Sequence, residues 1–301
     1  MEIVERIKEL KKKRGAIILA HNYQIGEVQD IADFVGDSLD LSRRAAKTDA
    51  DVIVFCGVHF MAETAKILSP KKTVLLPDLD AGCPLADMVT ADALRRKKEE
   101  NPKAVVVCYV NSSAEVKALS DICCTSANAA KVVESIPAER EIIFIPDKWL
   151  GDYVSRVSGR RMLLWNGHCP THVVILAEGI LALKKRYPDA EVLVHPECPR
   201  DVVDVADHAF GTMGMINYIK TSPRKDFIIG TEIGILHRLR KENPERRFHP
   251  ASILAECPNM KLINLEKILW SLEDMRYEID VKEDVRIRAE EAVLKMLEIG
   301  K

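Results

Sequence analysis

Three cysteines are each followed by proline at the end of a short stretch: Val74 to Pro84 (VLLPDLDAGCP), Met162 to Pro170 (MLLWNGHCP) and Ile253 to Pro258 (ILAECP). Cysteine thiolates are ligands for iron and zinc. Cys83, Cys169 and Cys257 stand 86 and 88 residues apart, and near-constant spacing of this kind marks an internal repeat. No Cys-x-x-Cys pair, the usual sequence signal of a thiolate metal site, occurs in the chain; Cys123 and Cys124 are adjacent. The case for ligation is equivalence, because three repeats about a pseudo-threefold axis bring equivalent loops to one point. Three cysteines on a cubane 4Fe-4S cluster leave the fourth iron open as a Lewis acid toward a substrate oxygen or nitrogen. A zinc ion on the same thiolates, with its fourth position open, is the competing reading.

The elements that must position these loops repeat as well. Apolar runs recur at Ala16 to Asn22, Ala104 to Asn111 and Glu191 to Glu197, and again at Asp51 to Cys56, Glu141 to Pro146 and Asp226 to Thr231. Between them lie Asp33 to Ser38, Asp121 to Ser126 and Asp207 to Thr212, each with a hydroxyl five residues after an aspartate; these are expected to be helical. Short β-branched runs without alternation belong to parallel sheets covered on both faces. The expected fold is therefore α/β: three homologous three-layer αβα units, each with about three short parallel strands, arranged with pseudo-threefold symmetry around a central cleft. Functional groups of such sheets gather beyond the carboxyl ends of the strands, which here carry His21, Asn22, Tyr23, then Tyr109, Asn111, then His195, Glu197.

The expected domains are 1-101 (an N-terminal helix, Glu2 to Arg14, plus unit one), 102-187 (unit two) and 188-301 (unit three plus C-terminal helices). Asn101-Pro102 and Tyr187-Pro188 mark the breaks. A net charge of -2 supplies no field for nucleic acid. The basic runs Lys11 to Arg14, Arg95 to Lys98 and Arg238 to Lys241 read as solvated helix ends. No apolar run is long enough to span a bilayer and the N-terminus lacks a signal peptide's apolar stretch, so a cytoplasmic protein without disulfides is expected. Cys56 and Cys108 read as core, with Cys123, Cys124 and Cys198 unassigned. His59, His208, His237 and His249 read as structural, the tryptophans as packing, and His168 and His172 either as groups supporting the metal site or as core or loop packing.

Nine stretches in order, over nearly the whole chain, resemble the quinolinate synthase family: Leu19-Ala-His-Asn-Tyr23, Asp33-Phe-Val-Gly-Asp-Ser38, Cys83-Pro84, Tyr109-Val-Asn-Ser112, Cys124-Thr-Ser-Ala-Asn128, Asn166-Gly-His-Cys-Pro170, His195-Pro-Glu-Cys-Pro199, Gly230-Thr-Glu232 and Asn259-Met260. The resemblance implies a three-domain, pseudo-threefold transferase of NAD biosynthesis. It implies condensation of iminoaspartate with dihydroxyacetone phosphate to quinolinate, with release of phosphate and two waters. It also implies one 4Fe-4S cluster on Cys83, Cys169 and Cys257, and substrate contacts from His21, Tyr23, Ser38, Tyr109, Asn111, Ser126, His195, Glu197 and Thr212. An iminoaspartate-producing enzyme is the one protein partner it suggests. Two departures stand out. Gly211 replaces a serine common in the family, removing one anion-binding hydroxyl, and no cysteine follows Cys257.

The residues fit this chemistry on their own terms. Hydroxyls near helix starts suit anionic substrates, and dehydration and isomerisation need a base near a carbonyl carbon and an acid near the leaving hydroxyl. Glu197 is the expected base, Tyr23 and His21 the proton donors or relays, with His21 and His195 protonatable near neutral pH. A zinc- or iron-dependent lyase or aldolase of other specificity, and a non-catalytic iron-sulfur redox sensor, are the alternatives.

Overall fold

The computed structural model describes residues 2–299; Met1, Gly300 and Lys301, at the outer ends of the first and third expected ranges, lie outside the described residues. Each unit contains four strands rather than three. Unit one has β1 (Ala16–His21), β2 (Phe34–Gly36), β3 (Val52–Cys56) and β4 (Thr73–Leu75); unit two has β5 (Val105–Tyr109), β6 (Ile122–Cys124), β7 (Ile142–Ile145) and β8 (Leu163–Leu164); unit three has β9 (Glu191–Val194), β10 (His208–Ala209), β11 (Asp226–Gly230) and β12 (Arg247–Pro250). Every ladder is parallel, and the order is the same in each sheet: second, first, third, fourth. The chain reverses its direction of travel across the sheet between the first and third strands, so each unit opens a crevice at the carboxyl ends of that pair.

β12 lies outside every run read from the sequence. The other strands missed by pattern are β2, β6 and β10, two or three residues long, inside the stretches expected to be helical. Their aspartates explain them. Asp33 Oδ2 accepts from the Ile18 amide at 2.8 Å, Asp121 Oδ2 from Val106 at 2.7 Å and Asp207 Oδ2 from Val192 at 2.8 Å. The aspartate's own amide returns a bond to the same strand residue, at 2.9, 3.1 and 3.0 Å. One side chain thus pins the second strand to the first in register, and the helix begins only after it. Ser38 and Thr212 are the first residues of the helices Ser38–Lys47 and Thr212–Thr221, whereas in unit two the helix Ala129–Glu134 starts three residues beyond Ser126. Ile253 and Leu254 form no strand; they are 76% and 73% exposed in the loop after β12.

The N-terminal helix Ile3–Lys13 buries Ile7 and Leu10 and ends where Gly15 takes a left-handed φ of 58°. It packs on the helix Leu265–Asp274. The last helix, Glu283–Ile299, lies against β6 and the helices His59–Leu68 and Ala114–Lys117. The C-terminal helices, contiguous in sequence with unit three, therefore rest on units one and two. Trp270 is half exposed rather than packed. No helix among the described residues is long and apolar enough to cross a membrane. Asp121→Ala should lower stability by about 1 kcal/mol through loss of the strand pin, measurable as a shifted urea midpoint with an unchanged slope.

Candidate active site

The three crevices face one another and merge. Unit one contributes His21, Tyr23 and Ser38, unit two Tyr109, Asn111 and Ser126, and unit three His195, Glu197 and Thr212, while Cys83, Cys169 and Cys257 line the same cavity. Its empty space is roughly 670 Å³, part of it open to solvent. Every site residue expected from sequence is therefore brought to one place. Met61 is buried and also lines this cavity. His168 does not line it, nor do His59, His208, His237 and His249.

Units one and three present their histidines by one device. The Tyr23 amide donates to His21 Nδ1 at 3.2 Å, and the Glu197 amide donates to His195 Nδ1 at 3.3 Å. With Nδ1 accepting, each neutral ring carries its proton on Nε2. Both imidazoles are indeed neutral near pH 7, contrary to the sequence expectation: burial pulls each down to about 3. For His21 the Lys261 ammonium adds to this; for His195 the Glu197 carboxylate opposes it. They offer N–H donors, not imidazolium acids.

Glu197 is the buried charge at the centre. Burial alone would raise its carboxyl, but the His172 and His195 imidazoles beside it and a hydrogen bond from Tyr109 hold it at about 2, so it is ionised. The Tyr109 hydroxyl donates to Oε1, and His172 Nδ1 lies 2.8 Å from Oε2 in an approach short of an in-line hydrogen bond. His172 Nε2 sits 2.9 Å from Thr231 Oγ1, which in turn lies 2.6 Å from the Tyr23 hydroxyl. Burial, with Glu197 nearby, raises both tyrosines well above 10, so they are protonated. A continuous chain of polar contacts thus runs Tyr23, Thr231, His172, Glu197, Tyr109, and it crosses all three units.

All eight cysteines are free. Cys83 is pushed up to about 12 by burial, and burial likewise raises Cys169 and Cys257. Among the described residues the one group compact enough for a single ion is Cys169, His172 and Glu197, with ligand atoms within 4.8 Å of one another. The three thiols sit on separate loops around the cavity, a donor set that suits a body larger than one ion.

The sequence profile described as quinolinate synthetase A protein matches residues 5–298. This chain belongs to that family. The quinolinate synthase of Methanosarcina barkeri is 57% identical over 298 residues, covering 99% of this chain and 98% of the relative. That of Thermodesulfovibrio yellowstonii is 57% identical over 295 residues, covering 98% and 97%, and one from Dehalococcoides mccartyi is 55% identical over 297 residues, covering 99% and 98%. Like them, the chain is an enzyme.

Several residues of this family member escape sequence reasoning as site residues. Thr231 and Glu232 follow the end of β11, where the strand-end rule had pointed without naming them. Glu232 is fully buried: Oε1 accepts from the Cys257 amide at 3.1 Å and from Lys261 Nζ at 2.7 Å, and Oε2 from the Gly234 amide at 2.7 Å. Lys261 also donates to the Tyr23 carbonyl, so one ion pair holds the Cys257 loop against unit one. Asp37 lines the cavity beside Ser38, and burial, then Asp40, raise its carboxyl to about 6. At Gly211 an added Cβ would fall 2.8 Å from Ser126 Oγ; the missing family serine thus coincides with a close approach of Ser126. Cys123, Cys124 and Cys198, unassigned by sequence, are buried away from the cavity.

Two outcomes are expected. Both buried histidines sit below their ordinary 6.5 in the fold, so their stability contribution is complete above 6.5 and is lost as pH falls toward 3. Urea unfolding against pH should show this decline, and it should be shallower in His195→Gln than in wild type. Lys261→Met, which strands the Glu232 carboxylate, should cost about 3 kcal/mol by the same measurement.

Proposed function

We propose that the enzyme condenses iminoaspartate with dihydroxyacetone phosphate to form quinolinate, phosphate and two waters in NAD biosynthesis, with a 4Fe-4S cluster on Cys83, Cys169 and Cys257. The observation that carries this reading is the opening of three equivalent cysteine loops onto the cavity that holds the strand-end His, Tyr and Glu groups. Family membership and relatives named quinolinate synthase support it. When bound, the cluster supplies an iron without a protein ligand, a Lewis acid for a substrate oxygen or nitrogen.

The chain's own residues bind and move protons. Ser38, Ser126 and Thr212 provide hydroxyls for the carboxylates and phosphate of the substrates, and His21 and His195 donate through Nε2–H. Glu197, ionised and shielded from water, is the base. Tyr23, Thr231, His172 and Glu197 form an unbroken run of polar contacts beside the cavity. Tyr23, protonated, and Glu197, ionised, thus stand at the two ends of this run as acid and base.

One observation favours a second reading: the compact Cys169, His172 and Glu197 group suits a single zinc in a lyase of other specificity. Anaerobic reconstitution with iron and sulfide, metal analysis, and assay for a pyridine dicarboxylate from the two substrates separate the two. Four irons per chain with product are expected; zinc uptake without product supports the lyase and overturns the proposal. Glu197→Gln should retain the iron and lose about 10²–10⁴-fold in kcat.

A further inference from the structure

Thr212 is buried, and its hydroxyl has one partner among the described residues: it accepts from Asn22 Nδ2 at 3.0 Å. The orientation of the Asn22 amide is set from its other side. Arg238 Nη1 lies 2.9 Å from Asn22 Oδ1, and a guanidinium can only donate. The atom facing Arg238 is therefore the amide oxygen, and the NH₂ must face Thr212. Thr212 Oγ1 is thereby committed as an acceptor toward Asn22, which leaves its own proton for the cavity that it lines.

Arg238 is not the solvated helix end that its basic run suggested. Its side chain is 18% exposed; Nη1 also donates to the Val35 carbonyl at 2.9 Å, and Nε to Glu242 at 2.6 Å. It projects from the unit-three helix Ile235–Glu242 onto the ends of β1 and β2 in unit one. With glycine at 211, no side-chain hydroxyl immediately precedes Thr212, so the direction of the Thr212 proton carries more of the recognition.

We propose that Asn22 and Arg238 are positioning residues that fix Thr212 as a hydrogen-bond donor to an oxyanion in the cavity, which makes anion recognition depend on the docking of unit three against unit one. The inference rests on the reading of the cavity as the site of an anionic substrate. Neither Asn22 nor Arg238 lines the cavity; both act through Thr212.

Asn22→Asp is the test. The carboxylate keeps the shape of the amide and still accepts from Arg238, but its second oxygen takes the Thr212 proton. Calorimetry with inorganic phosphate on anaerobic protein should show binding weakened about tenfold or more. KM for dihydroxyacetone phosphate should rise by a similar factor, with kcat, iron content and thermal midpoint near wild type. Arg238→Gln, which frees the amide to turn over, should weaken phosphate binding less, and Arg238→Lys should recover much of the loss. If Asn22→Asp fails to fold, the Arg238 pair decides. Wild-type phosphate affinity in Asn22→Asp, or no phosphate binding by wild type, overturns the inference. Loss of phosphate binding in the variant, alongside a wild type that forms no pyridine dicarboxylate, would overturn the proposed reaction and leave this inference standing.

Discussion

A carboxylate taken out of water must be met by donors, or the free energy of burying it exceeds what packing returns. Glu197 is such a group, and no single unit can satisfy it. Its backbone belongs to unit three, the tyrosine that donates to Oε1 comes from unit two, and His172 on its other side is held through Thr231 to the unit-one Tyr23. The docked arrangement of three small sheets is therefore also the condition under which this charge is tolerable. In the proposed reaction the same arrangement serves catalysis, because an ionised carboxylate shielded from solvent can accept a proton from a substrate.

The three cysteine loops obey a related logic. Their thiols are raised by burial, so without metal they are held as neutral groups and the cavity carries little extra charge. Metal binding would have to displace those protons, coupling occupancy to pH and to the integrity of the fold. The Glu232–Lys261 pair holds the Cys257 amide and the Tyr23 carbonyl in one frame. The cysteine that comes latest in sequence is thereby set relative to the first strand.

Much of this was legible in the sequence because the repeat is local and periodic. Strand-end residues follow from runs such as AIILAH and EVLVH, and the constant cysteine spacing implies convergence once the units are taken to be equivalent. What was not legible depends on partners far apart in the chain. His172 stands three residues after Cys169, and nothing nearby shows that it bridges Glu197 and Thr231. Arg238 lies in a basic run of the kind that usually decorates a helix end, and only docking against β1 and β2 gives it Asn22 as a partner. Strands of two or three residues are too short for any periodicity, and the aspartates that create β2, β6 and β10 read equally well as helix-start residues. The protonation of His21 and His195 was misjudged because burial, not residue type, decides it.

The most direct test of a cluster open toward the pooled strand ends is Mössbauer spectroscopy of anaerobic protein reconstituted with ⁵⁷Fe, recorded with and without quinolinate. The account predicts four irons per chain, of which one changes its isomer shift when the ligand's nitrogen and carboxylate reach it, while the three on Cys83, Cys169 and Cys257 stay as they were. Quinolinate binding that leaves all four irons unchanged would contradict it.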